Sequence, residues 1–186
     1  SFGESIGKMA DEMEVSGWYA PAMNTHRNAF AGRNFEYYSE DGVLSGKMAA
    51  NAVIGAEKYG VYAKGYGMKI FDEENTKEIF TDIKNSGYSV DTLVLNAANL
   101  GIRQQFFDVS IDDFMNVINT NIGWNFMLSR EAAIQMKENG GGSIVFVNSN
   151  TAYRAIPDRI AYSASKSGAL GMMRALALDL GKYNIR

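Results

Sequence analysis

Residues 161–168 read AYSASKSG. Tyr162 stands four places before Lys166, a spacing that puts a phenol and an ammonium on one face of a helix. A neighbouring ammonium favours the phenolate form of a tyrosine. A tyrosine so placed can give or take a proton near neutral pH. Alone, such a pair is ordinary solvated helix surface. Ser149 and Asn121 give it company. Ser149 closes an apolar run, GGGSIVFVNS, at the edge of a sheet where open α/β folds place ligands. Asn121 lies inside a helical stretch, where asparagine is a poor helix former and needs a reason to be there.

Alternating helices and short apolar strands must position these groups. Helices are expected over 4–15, 43–58, 75–86, 111–138 and 160–182. In the first, Ile6, Met9, Met13 and Val15 form a partial apolar stripe. Ser110 and Asp113 resemble a capping box at the start of 111–138, and Gly60 and Gly87 lie where helix C-terminal caps belong. Strands are expected at 18–23, 61–71, 91–96 and 143–149. Pro21 weakens the first, and Gly65 and Gly67 mark a bulge or break in the second. This alternation implies a parallel sheet covered on both faces.

Composition narrows the chemistry. The 186 residues suffice for one domain with a real core, and 46% are hydrophobic. A formal net charge of −3 offers no basic field for nucleic acid and no polybasic patch for a membrane. The absence of cysteine excludes disulfides and thiolate metal sites, and a single histidine, His26, argues against histidine-based metal sites or triads. No apolar run reaches membrane-span length and no signal peptide is visible, so the expected compartment is the cytoplasm. The chain begins at Ser1, which suggests a processed product or a fragment.

Residues 58–186 resemble the central part of the short-chain dehydrogenase/reductase family. Asn96-Ala97-Ala98 is similar to the family's NAG motif, with Ala98 in place of glycine. Asn121 in INTNIGWNFM matches the helix asparagine, Ser149 matches the active-site serine, and Tyr162-Ser-Ala-Ser-Lys166 matches YxxxK. The resemblance implies an oxidoreductase that uses NAD or NADP on a small carbonyl or alcohol. It implies Tyr162 as the acid/base and Ser149 as the group holding the substrate oxygen. Lys166 would depress the tyrosine pKa and touch the nicotinamide ribose, and Asn121 would anchor a water relaying protons to it. Asp72 is implied at the adenine and Asn96 near the cofactor ribose. Ala97 and Ala98 complete the implied cofactor-binding set, with Tyr162 and Lys166. On this reading the small neighbours of Tyr162 leave room for a nicotinamide and a carbonyl. The family also often dimerises through helices corresponding to 111–138 and 160–182, so a homodimer is implied, with Met127, Leu170, Met172, Met173 and Leu176 as its apolar surface.

Other parts depart from that pattern. No TGxxxGxG turn is present. Gly3 and Gly7 have its first interval, but Met9 stands where the third glycine would be, and an ordinary helix start is the better reading. The chain stops at Tyr183-Asn184-Ile185-Arg186, where the family would begin its sixth strand. Residues 1–57, with WYAPAM, HR, GRNFEY and SED, resemble a TIM-barrel fragment of the family 3 glycoside hydrolases. Arg33 matches their sugar-contacting arginine, but no counterpart of their catalytic carboxylates follows, so Arg33 and Glu36 read as loop charge.

The expectation is therefore a single α/β domain over 1–186, a three-layer Rossmann-like sandwich. Its parallel sheet would have about four strands in the order 2-1-3-4. Two segments, 1–57 and 58–186, would meet in a chimera near 55–61. The function expected is an Asn-Ser-Tyr-Lys oxidoreductase site with weak or absent cofactor binding and little or no turnover. A non-catalytic engineered scaffold is the alternative, and a sugar-binding glycosidase remnant comes third.

Overall fold

Two apolar runs become the strands on which the candidate site is built. The computed structural model describes residues 2–13, 41–59 and 66–186. The single domain expected over 1–186 resolves into two compact units, Ser1–Gly65 and Tyr66–Arg186. The expected strand 18–23, Gly60, Arg33 and Glu36 lie outside the described residues.

In the first unit, α1 (Phe2–Glu12) packs on α2 (Gly42–Glu57). Asp41 caps α2, its carboxylate accepting from Val43 N at 2.7 Å and Leu44 N at 3.2 Å. The packing face differs from the expected stripe. Met9 and Met13 are exposed, whereas Gly3 and Gly7 are buried against Ala52 and Ala56. A Cβ at Gly3 would lie 2.0 Å from the Ala52 carbonyl oxygen, so the two backbones touch where a side chain would hold them apart. The glycine interval that hints at a phosphate turn is thus a helix-packing device. A Lys58–Glu4 ion pair joins the same two helices.

In the second unit, β1 (Thr92–Leu95) pairs in parallel with β2 (Ser143–Phe146), with Leu93 opposite Ile144. Ile185 bridges Gly142 on the far side of β2, and Ile144 N donates to Arg186 O at 2.8 Å. Leu93 and Ile144 face Phe80 of α3 (Glu73–Asn85), Ala132 and Met136 of α5 (Trp124–Glu138), and Leu180 at the end of α6 (Ile160–Leu180). Val94 and Val145 point to the opposite face of the sheet and are exposed. This is a Rossmann-like α/β arrangement with a parallel sheet.

Sequence boundaries shift in readable ways. The expected helix 111–138 is α4 (Ile111–Ile118), a π turn (Asn119–Gly123) and α5, one continuous run. Ser110 caps α4 as expected, accepting from Asp113 N at 3.0 Å and donating to Asp113 Oδ2 at 2.8 Å. Gly87 follows α3 with φ +82°, a conformation that favours glycine. The described part of the expected strand 61–71 is a loop and turn. There Lys69 N donates to the Asn75 side chain at 2.8 Å, and Phe71 adopts a left-handed backbone with φ 58°. Neither residue can serve a sheet ladder.

Met136 is fully buried in the cluster on the sheet. Met136→Ala should cost about 2–5 kcal/mol, read as a lower urea midpoint with unchanged slope. Gly3→Val should free α1 from α2, read as faster amide exchange confined to residues of α1 and α2.

Candidate active site

The loop leaving β1, the π turn and the N-terminal half of α6 meet at the carboxyl ends of β1 and β2. Asn121 is their junction. It is 2% exposed, and both its amide protons and its amide oxygen are bonded. Its Oδ1 accepts from Asn99 N at 2.7 Å, and its Nδ2 donates to Asn99 O at 2.9 Å and to Ser165 Oγ at 2.9 Å. Its backbone carbonyl accepts from Asn125 Nδ2 at 2.8 Å. Ser165 Oγ in turn donates to Tyr162 O at 2.8 Å.

Tyr162 and Lys166 share a face of α6, with the Lys166 Nζ 5.8 Å from the centre of the Tyr162 ring. Lys166 is only 6% exposed, and its Nζ donates to Val147 O at 2.9 Å, just beyond β2. Burial pushes its pKa below the ordinary lysine value, because the charged form loses water. One of three ammonium protons is spent on Val147, leaving two for other partners.

Ser149 opens a short 3₁₀ turn. Its Oγ accepts from Thr151 N at 3.2 Å and from Thr151 Oγ1 at 3.0 Å. A cleft of about 420 Å³ lies beside this turn, lined by Phe106, Thr151, Tyr153, Ile156 and Ser163.

The residues expected at a cofactor divide. Ala97 and Ala98 line an open cleft of about 570 Å³, together with Phe71, Asn99, Thr120 and Trp124. Asn96 follows β1 and is exposed. Asp72 caps α3, its carboxylate accepting from Asn75 N at 2.9 Å, and it is not among the cleft-lining residues. The small residues of AYSASKSG do more than leave space. Ser165 bonds Asn121, and a Cβ at Gly168 would lie 2.6 Å from Ile122 Cδ1, so Gly168 lets α6 approach the π turn.

Sequence reasoning missed Asn99, Ser165, Asn125 and Arg159. Arg159 donates to Leu100 O at 2.9 Å and Gly101 O at 2.7 Å, tethering the loop after β1 to the start of α6. Their signal was faint: polar residues next to motif positions, with partners far along the chain.

The wall of the larger cleft carries one buried polar atom without a partner, Trp124 Nε1. Buried donors are normally satisfied, so this one is an exception among the described residues. Ala97 and Ala98, with the aromatic residues Phe71 and Trp124, border a cleft large enough for part of a dinucleotide. Among the described residues, no group of His, Cys, Asp and Glu could hold a metal ion, and no helix is long and apolar enough to cross a membrane.

An α/β unit with such an edge belongs to the class of open-sheet nucleotide-binding folds. The family model described as short chain dehydrogenase matches residues 43–186, and the chain belongs to this family. The match reaches further forward than residue 58, taking in α2. The chain is 30% identical over 132 residues to the 3-oxoacyl-[acyl-carrier-protein] reductase FabG of Aquifex aeolicus, covering 70% of this chain and 52% of that protein. A solved 7α-hydroxysteroid dehydrogenase, complexed with NADH and 7-oxo glycochenodeoxycholic acid, superposes with TM-score 0.67 at 31% identity, over 75% of this chain and 54% of that one. The chain is also 32% identical over 117 residues to beta-glucosidase A of Butyrivibrio fibrisolvens, which covers 63% of this chain and 14% of that protein. It spans about half the length of the oxidoreductase relatives it matches.

Burial of Lys166 has a consequence for stability. With its pKa lowered in the fold, the unfolded chain holds more protons as pH rises toward 10.5, so stability increases through that range. Urea unfolding at a series of alkaline pH values should show this rise, and Lys166→Met should flatten it.

Proposed function

We propose that residues 66–186 carry the acid/base side of a nicotinamide-dependent oxidoreductase site acting on a small carbonyl or alcohol. The observation that carries this reading is the buried Lys166 beside Tyr162, on a helix tied to Asn121 through Ser165. An ammonium is not buried cheaply, and here it sits where it can hold a phenol's charge. A bound NAD(P)H would supply the hydride. Tyr162 would give its hydroxyl proton to the carbonyl oxygen as the carbon becomes an alcohol. Ser149 Oγ would donate to the same oxygen. Lys166 would stabilise the phenolate left behind and bond the cofactor ribose with a remaining proton. Asn121 would act through its backbone carbonyl, which already accepts from Asn125 Nδ2. Ala97 and Ala98, with Asn96 beside them, would border the cofactor. Asp72, spent on capping, would serve it least.

Turnover in this chain is expected to be low. The sequence lacks the TGxxxGxG turn that seats a pyrophosphate on a helix N-terminus. Positioning of reactants is worth about 7–11 kcal/mol, and a loosely held cofactor forfeits much of it. A second reading is that the chain is a chimera with a glycosidase-derived N-terminal segment and serves as a folded scaffold; the beta-glucosidase similarity spans 117 residues and so runs beyond residue 57. A homodimer through helices 111–138 and 160–182 and a cytoplasmic setting accompany the first reading.

Titration with NADH and NADPH, followed by cofactor fluorescence, separates these readings. Binding with a dissociation constant of about a millimolar or tighter supports the oxidoreductase, and no binding at that level supports the scaffold. Where a carbonyl is reduced, Tyr162→Phe should lower kcat by at least about a hundredfold without comparable change in cofactor affinity. Activity that survives this change removes Tyr162 from the role.

A further inference from the structure

We infer that Ser165 is a positioning residue that carries the hold of Asn121 on the loop after β1 across to the backbone of Tyr162. The inference deepens the reading above and takes its catalytic meaning from it, but its geometry stands independently. Ser165 is 0% exposed in the second turn of α6. A serine buried in a helix interior commonly bonds its own helix, and this one does, donating to Tyr162 O at 2.8 Å. Its oxygen also accepts from Asn121 Nδ2 at 2.9 Å. Asn121 spends its other amide proton on Asn99 O and its oxygen on Asn99 N. A single hydroxyl thus closes a circuit that runs from Asn99 through Asn121 to Tyr162. Asn99 lines the larger cleft next to Ala97 and Ala98.

Alanine at 165 would leave a buried Asn121 N–H without an acceptor. A buried unsatisfied donor is costly, so Asn121 would turn to find another partner and loosen its grip on Asn99. Threonine keeps the hydroxyl and can still bond the carbonyl three residues back.

Amide hydrogen exchange followed by NMR tests this directly. In the unmodified chain the Asn99 amide should be protected, and in Ser165→Ala its exchange should quicken by about tenfold or more, with Ala132 and Met136 unchanged. Ser165→Thr should restore protection to near the unmodified level. Equal protection of Asn99 in Ser165→Ala and the unmodified chain would overturn the inference, as would a uniform loss across α5 and α6. If either variant fails to fold, the unmodified chain decides. A nuclear Overhauser contact between the Asn121 side-chain amide and the Ser165 β-protons supports the circuit, and its absence refutes it. Absent cofactor binding with Asn99 still protected would count against the oxidoreductase reading alone.

Discussion

Asn121 has three side-chain valences directed at fixed partners, and the site region hangs on their being satisfied together. An amide oxygen and two amide protons reach the chain leaving β1 and the hydroxyl on α6. The group is almost fully buried, so water cannot substitute for a lost partner. This explains asparagine in a helix that would otherwise reject it. The preference lost in the helix is small beside the cost of an unsatisfied buried amide. The π turn belongs to the same arrangement, and Asn125 steadies it by donating to the Asn121 carbonyl.

Lys166 is the second costly group, and it is placed by the sheet. Its ammonium rests on the carbonyl of Val147, where the parallel pairing of β1 and β2 continues through Val147 N donating to Leu95 O at 3.0 Å. Backbone geometry at the end of β2 therefore fixes where a cation may sit, while α6 fixes the phenol beside it. The helix α6 is in turn held to the π turn by Gly168 against Ile122 and by Ser165 against Asn121. Packing and polar satisfaction act at adjacent turns of one helix.

Much of this was legible in the sequence where a local rule decides the outcome. The Ser110 cap and the left-handed Gly87 follow from chemistry within a few residues. The strands at 91–96 and 143–149 were visible as apolar runs, and they pair as adjacent parallel strands. The Tyr162–Lys166 spacing marked the candidate site. What was hidden depends on partners far away in the chain. Ser165 and Asn99 gain their importance only when Asn121 lies between them. The run 66–71 reads as strand-like, yet Lys69 N goes to the Asn75 side chain and Phe71 turns left-handed, held against Gly123. In α1, periodicity favoured methionines, but the contact was decided by how closely two backbones can approach at glycine.

The π turn has a meaning for helix phase. An α-helix advances about 100° per residue, and a π turn accommodates an extra residue without breaking the helix. The stretch Asn119–Gly123 therefore sets the angular offset between α4 and α5. Upstream of it Val117 is buried, and downstream Ala132 and Met136 face the sheet. Losing one residue from this stretch would let it relax to ordinary α-helix, turning α5 by roughly a quarter turn about its axis relative to α4. The helix would survive, but Asn121 and the core residues of α5 could no longer face their partners at once. One surplus residue thus works as a rotational spacer between the carboxyl edge of the sheet and its packed face.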